Sequence, residues 1–218
     1  MLSSLHTFPQ YTTAEKWADA VVHVAGLIAS PLAIAWLFLH AGPQITTGRI
    51  VTGTVYAAGL IGMLWASALY NLVRAGPLKS ILRRIDHAMI FVMIAGTFTP
   101  LSFIALSQDI AIPLCIVVWL MAALGGALKL MDQSWAERLS VFLYLAMGWA
   151  ALLPLVGGLP AGAITLIVTG GVLYSLGSFI HTRVDLPFHN AIWHALVLAA
   201  AGVHLAAVAD VIAMPVVG

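Results

Sequence analysis

The chain has 218 residues, of which 62% are hydrophobic and only 8% charged, and its formal net charge is +1. A soluble domain carries about a quarter charged residues, so a mean hydropathy of +1.04 points to a lipid environment rather than water. With no basic patch anywhere in the chain, nucleic acid is not an expected partner.

The opening stretch MLSSLHTFPQYTTAEK has no apolar core ahead of its charges and does not read as a signal peptide. Beyond it, charged residues punctuate the chain, and the gaps between them match the roughly 20 apolar residues that a membrane-crossing helix needs. Such gaps predict spans over about 18–40, 50–73, 86–107, 110–129 and 189–212. The uncharged stretch from Leu139 to Thr182 is about twice the length of one span. It is interrupted by VGGLPAG at Val156–Gly162, whose Gly and Pro break helices, so spans are expected over about 138–157 and 160–181. The expected fold is an all-α membrane protein, a single seven-span bundle over residues 1–218 with short connections and no separate soluble domain.

Positive residues in short loops resist translocation. With a cytoplasmic N-terminus and the C-terminus outside, Lys16, Arg74, Lys79, Arg83, Arg84, Lys129, Arg138 and Arg183 all lie inside, and only Arg49 lies outside. Cys115 is the sole cysteine and falls within a span, so no disulfide framework or thiolate metal site is expected.

This topology puts four polar groups in one leaflet. They are Glu15, Asp19 and His23 on the first span, Ser67 and Asn71 on the second, Asp86 and His87 on the third, and His189, Asn190 and His194 on the seventh. Glu15, Asp19 and His23 follow i,i+4 spacing, as do Ser67 with Asn71 and Asn190 with His194, so each set shares a helix face. Ionisable groups in spans are costly and face the bundle interior or a watery cavity, which makes their convergence a site hypothesis. Blander readings stand beside it. Asp86 can cap the third helix and pair with Arg83 or Arg84, and His23 and His204 can be hydrogen-bonded helix contacts. His40 and His181 sit at span ends, the tryptophans fit an aromatic belt, and the methionines fit packing.

The stretches EKWADAVVHVAG, SALYN, RRIDHAMIFVMIAGTFTPL, LYLAMGWAALLPL and NAIWHALVLAAAGVHLAAV occur in order over nearly the whole chain. Together they resemble the hemolysin III branch of the progestin and adipoQ (adiponectin) receptor family, seven-span proteins similar in turn to alkaline ceramidases. The resemblance implies an integral protein of a bacterial inner (plasma) membrane. It also implies a zinc ion near the cytoplasmic side, held by one histidine ending S-x-x-x-H on the second helix and two forming H-x-x-x-H on the seventh. An aspartate opening the third helix would bind the metal's water, with the serine beside it. Ser67, Asp86 and His194 are kept, but Asn71 and Asn190 stand where the other two ligand histidines would be. Amide oxygens suit harder cations than zinc. His189 is adjacent to Asn190, but five residues of regular helix turn it about 140° from His194. It joins only if the helix starts irregularly or carries a π-bulge. Another metal set drawn from His23, His87, His189 and Asp86 is not demanded by any spacing.

Two main functional expectations follow. In the first, the pocket is an emptied zinc site in a non-catalytic protein, and it binds a membrane lipid or fatty acid by its carboxyl or headgroup. In the second, zinc is retained and the chain is a lipid amide hydrolase with Asp86 as base or water holder and Ser67 steadying the oxyanion. A membrane-perturbing hemolysin is a further alternative, but no amphipathic, cation-rich segment supports lysis.

Overall fold

The computed structural model describes residues 10–131 and 134–215, with the side chains of Ser134, Glu137 and Arg138 outside the description. The signal-peptide reading at residues 1–9, and the part of Arg138 in the charge asymmetry, therefore lie outside the described residues. Seven α-helices and no strands are found among the described residues: α1 Thr13–Ala41, α2 Thr47–Leu72, α3 Pro77–Ala105, α4 Gln108–Leu130, α5 Ser134–Leu152, α6 Ala161–His181 and α7 His189–Ile212.

Local chemistry accounts for the helix ends. Thr12 and Glu15 form a capping box at the start of α1, with the Thr12 side chain accepting from the Glu15 N–H and Glu15 reaching back to the Thr12 N–H. Thr46 caps α2 by accepting from the Arg49 N–H. Gly76 precedes α3 and Pro77 opens it, where a missing N–H costs nothing. Gly157, at φ +94°, supplies the turn after α5, in the glycine-rich break between the fifth and sixth apolar stretches.

Among the described residues, six helices are long and apolar enough to cross a membrane: α1, α2, α3, α4, α6 and α7. In α5 the apolar part is shorter, Leu139–Leu155, and is completed by a 3-10 turn at Leu153–Leu155. On the outer faces large apolar side chains lie exposed, among them Ile116, Val117, Leu120 and Leu124 on one side of α4. An apolar surface of that extent fits lipid rather than water.

α3 contributes the longest run of buried residues, from Ala95 to Ser102, and packs closely against α2 and α4. Small residues allow that approach. A Cβ on Gly125 of α4 would fall 2.1 Å from Cε1 of Phe91, which is fully buried. At the end of the bundle opposite the polar groups, Arg49 is buried and its Nη1 donates to the carbonyls of Ile212 at 2.8 Å and Gln44 at 3.1 Å, and to that of Met214. It thereby satisfies orphan carbonyls at the C-terminus of α7.

One expectation needs correction. Asp86 does not cap α3, because the helix begins at Pro77 and Asp86 lies more than two turns inside it. Arg84 instead donates to the carbonyl of Leu130 at 3.3 Å.

Candidate functional site

The polar faces of α1, α2, α3 and α7 meet at one cavity of ≈ 730 Å³. Asp19, His23, Ser67, Asn71, Asp86, His87, Asn190 and His194 all line it. Helical spacing delivers them in pairs: Asp19 and His23 are one turn apart on α1, Ser67 and Asn71 one turn apart on α2, and Asn190 and His194 one turn apart on α7.

At its centre, His194 Nδ1 donates to Asp19 Oδ1 at 2.6 Å, a charge-assisted length. His23 Nδ1 donates to the backbone carbonyl of Asp19 at 2.8 Å. Its Nε2 then faces two donors, the Ser67 hydroxyl at 3.2 Å and the Asn71 amide at 3.4 Å. Because an amide NH2 only donates, that arrangement calls for a neutral His23 with the proton on Nδ1. The Asn71 amide also donates to the Ser67 carbonyl at 3.0 Å, and Asn71 Oδ1 accepts from Asn190 at 3.5 Å. The rings of His23 and His194 meet edge-on, with centroids 4.4 Å apart. Most of these groups are buried, so a connected network is what avoids their desolvation cost.

The remaining expected residues take other places. Asp86 is buried on the cavity wall but makes no hydrogen bond or ion pair among the described residues. His87 lines the wall with its ring edge-on to Tyr70, centroids 6.4 Å apart. Glu15 serves structure: its carboxylate accepts from the Phe188 N–H at 2.9 Å as well as from Thr12. Phe188, in the left-handed region at φ 61°, precedes α7. His189 opens that helix, its Nδ1 donating to the Leu186 carbonyl at 3.1 Å and its ring beside Tyr11. It is not among the residues lining the cavity, and α7 is regular from its first residue.

The cavity has two characters. Lys16, Arg74, Lys79 and Arg83 are among its lining residues, as are the apolar side chains of Met63, Met93, Ile94, Phe98, Val141 and Val197. Lys79 donates to the Val73 carbonyl at 3.0 Å and lies over the Tyr70 ring at 5.0 Å. Deeper, the hydroxyl of Tyr174 is buried without a hydrogen-bond partner among the described residues. The basic members of the lining and the Tyr174 hydroxyl carry no motif spacing, so only the three-dimensional packing reveals them.

Chemically, a hydroxyl held against a neutral imidazole is the first half of a nucleophile and base pair. Its orienting bond goes to a backbone carbonyl, while the nearer carboxylate oxygen lies 3.7 Å from His23 Nδ1. Of the family-type zinc ligand positions, 71 and 190 meet at 3.5 Å, and 194 lines the same cavity with its ring against that of His23. Two of the three are amides already committed to each other and to Ser67. That donor set does not fit zinc, and no zinc-water chemistry is supported there.

Comparison with known proteins gives a consistent picture. Residues 11–205 match the family described as Haemolysin-III related. A hemolysin-3 homolog of Bacillus subtilis (strain 168) is 33% identical over 191 residues, covering 86% of this chain and 90% of that protein. Hemolysin-3 of Bacillus cereus is 32% identical over 187 residues, covering 84% and 85%. The human monocyte to macrophage differentiation factor is 28% identical over 166 residues, covering 72% and 69%. With its apolar helices and a match over most of its length, the chain belongs to the Haemolysin-III related family of integral membrane proteins.

Proposed function

We propose that the chain is a seven-span protein of a bacterial inner membrane, with a cytoplasmic N-terminus, whose cavity holds an anionic amphiphile of the fatty-acid type. The observation that carries this reading is the make-up of the ≈ 730 Å³ cavity, in which five basic side chains, Lys16, Arg74, Lys79, Arg83 and Lys129, and an apolar lining occur together. A volume of that size is within the range of sites that bury drug-sized ligands, roughly 300–1,000 Å³. A carboxylate would be drawn to Lys16, Arg74, Lys79 and Arg83, and an acyl chain would lie along Met63, Met93, Phe98 and Val197. Orientation rests on the placement of Lys and Arg, and the seventh span rests on α5 with its 3-10 extension. A hydrolase reading draws support from the Ser67–His23 contact alone, and the amides at Asn71 and Asn190 oppose its zinc form.

The test uses Gly148, which lines the cavity and whose added Cβ would meet nothing within 4 Å. Gly148→Leu therefore fills cavity space without a clash at Cβ. Organic extraction and mass spectrometry of the purified wild type should recover fatty acid or a related anionic lipid, and the variant should carry several-fold less. Lipid recovery no higher than from an unrelated membrane protein, or equal recovery from the filled variant, refutes the proposal.

A further inference from the structure

The strongest metal donors in the cavity come from two helices that the family-type zinc pattern does not pair. Asp19 and His23 sit one turn apart on α1, and His194 faces them from α7. One donor atom from each lies within 4.8 Å of the other two, and all three residues are buried, at 8%, 6% and 8% exposure. Asp19 reaches both rings, with Oδ1 2.6 Å from His194 Nδ1 and Oδ2 3.7 Å from His23 Nδ1.

From this geometry we infer that Asp19, His23 and His194 form a divalent transition-metal site. Two imidazole nitrogens and one carboxylate oxygen are donors that suit zinc and its first-row neighbours. Calcium and magnesium take oxygen ligands instead. Three protein ligands leave a coordination position open, as in catalytic zinc sites, and the cavity that all three residues line provides room for it. A buried carboxylate between two imidazoles is expensive unless compensated, and a divalent cation compensates it directly.

The surroundings are ordered for the same task. The Asp19 carbonyl accepts from His23 Nδ1–H at 2.8 Å, which fixes the ring and keeps the Nε2 lone pair free of its own proton. Backbone carbonyls commonly hold ligating histidines in this way. Ser67 and Asn71, which donate to Nε2, are neutral groups whose long hydrogen bonds a metal bond at Nε2 would replace. The inference does not depend on the lipid reading, because metal content and bound lipid are measured separately.

The experiment is a cobalt titration of the purified, chelator-treated full-length chain, followed by displacement with zinc. About one cobalt per chain is expected, with the intense visible bands of a four-coordinate site. His23→Ala and Asp19→Asn should each weaken binding at least about tenfold, whereas Asn190→Ala should leave the stoichiometry unchanged. X-ray absorption of the zinc-loaded wild type provides a reading that needs no variant to fold, and about two imidazoles in the coordination shell support the site. Folded wild type without visible cobalt bands overturns the inference, as does undiminished affinity in the His23→Ala protein or a zinc shell without imidazole.

Discussion

Asp19 and His194 stand 175 positions apart in the chain, yet their side chains meet at 2.6 Å. This bond ties the first helix to the last where both carry their polar residues. Replacing Asp19 by Asn keeps an acceptor but removes the charge. A charge-assisted bond is worth about 1.5–3 kcal/mol, and thermal melts in detergent should show a loss of that size. A loss well below 1 kcal/mol would mean that the pair does not hold α1 to α7.

Asn71 and Asn190 are already neighbours, with an amide contact of 3.5 Å. The double change Asn71→His, Asn190→His places two further imidazoles beside His194. Zinc affinity of the double variant should rise at least about tenfold over wild type, as read by competition with a colorimetric chelator. No gain in a folded double variant would contradict the observed convergence of α2 and α7.

Gly125 leaves no room for a side chain, since an added Cβ would lie 2.1 Å from Phe91. Gly125→Ala should therefore destabilise the α3–α4 contact by about 1–3 kcal/mol. Adding Phe91→Leu should restore part of that loss. Melting temperatures of the single and double variants decide the matter, and additive losses would count against the packing described here.

Tyr11 precedes α1 and lies beside His189. Burial, reinforced by Tyr70, Asp19 and Glu15, pushes its hydroxyl from 10.0 up to about 12. A raised folded-state value means that the fold favours the protonated phenol. The stability this contributes is complete below pH 10 and is lost as pH rises through about 12. Melting curves across that window should fall more steeply for wild type than for Tyr11→Phe. Identical slopes would remove Tyr11 from the alkaline response.

Arg49 donates to three carbonyls. Arg49→Met keeps much of the apolar stem and removes every one of those bonds. A destabilisation of about 2–3 kcal/mol is expected, and hydrogen exchange should speed up at the C-terminal turn of α7. Unchanged exchange there would show that the cap is dispensable.

The helices themselves were largely legible, because charged residues interrupt apolar runs of bilayer length. The i,i+4 pairs on α1, α2 and α7 were legible for the same reason: a regular helix turns spacing into a shared face. The start of α3 was not. A charge marks where the apolar run begins, whereas the backbone is already helical from Pro77, with LKSILRR forming a turn and more ahead of Asp86. Nor could spacing show which face of α1 meets which face of α7, since that rotation depends on packing across the whole bundle. Hence the spacing puts Asp19 and His23 on one face of α1 without revealing their joint contact with His194.

Arg49 also bears on how a membrane potential acts on the bundle. Its guanidinium is buried and bound by backbone carbonyls, and it is the one basic residue at that pole among the described residues. The remaining described lysines and arginines, Lys16, Arg74, Lys79, Arg83, Arg84, Lys129 and Arg183, lie at the opposite pole. A transmembrane voltage does work on each charge carried across it, about 2.3 kcal/mol per 100 mV. If the pole with seven basic residues faces the side of negative potential, inversion would carry those seven charges against the field and only that of Arg49 with it, so among the lysines and arginines the voltage opposes a reversal.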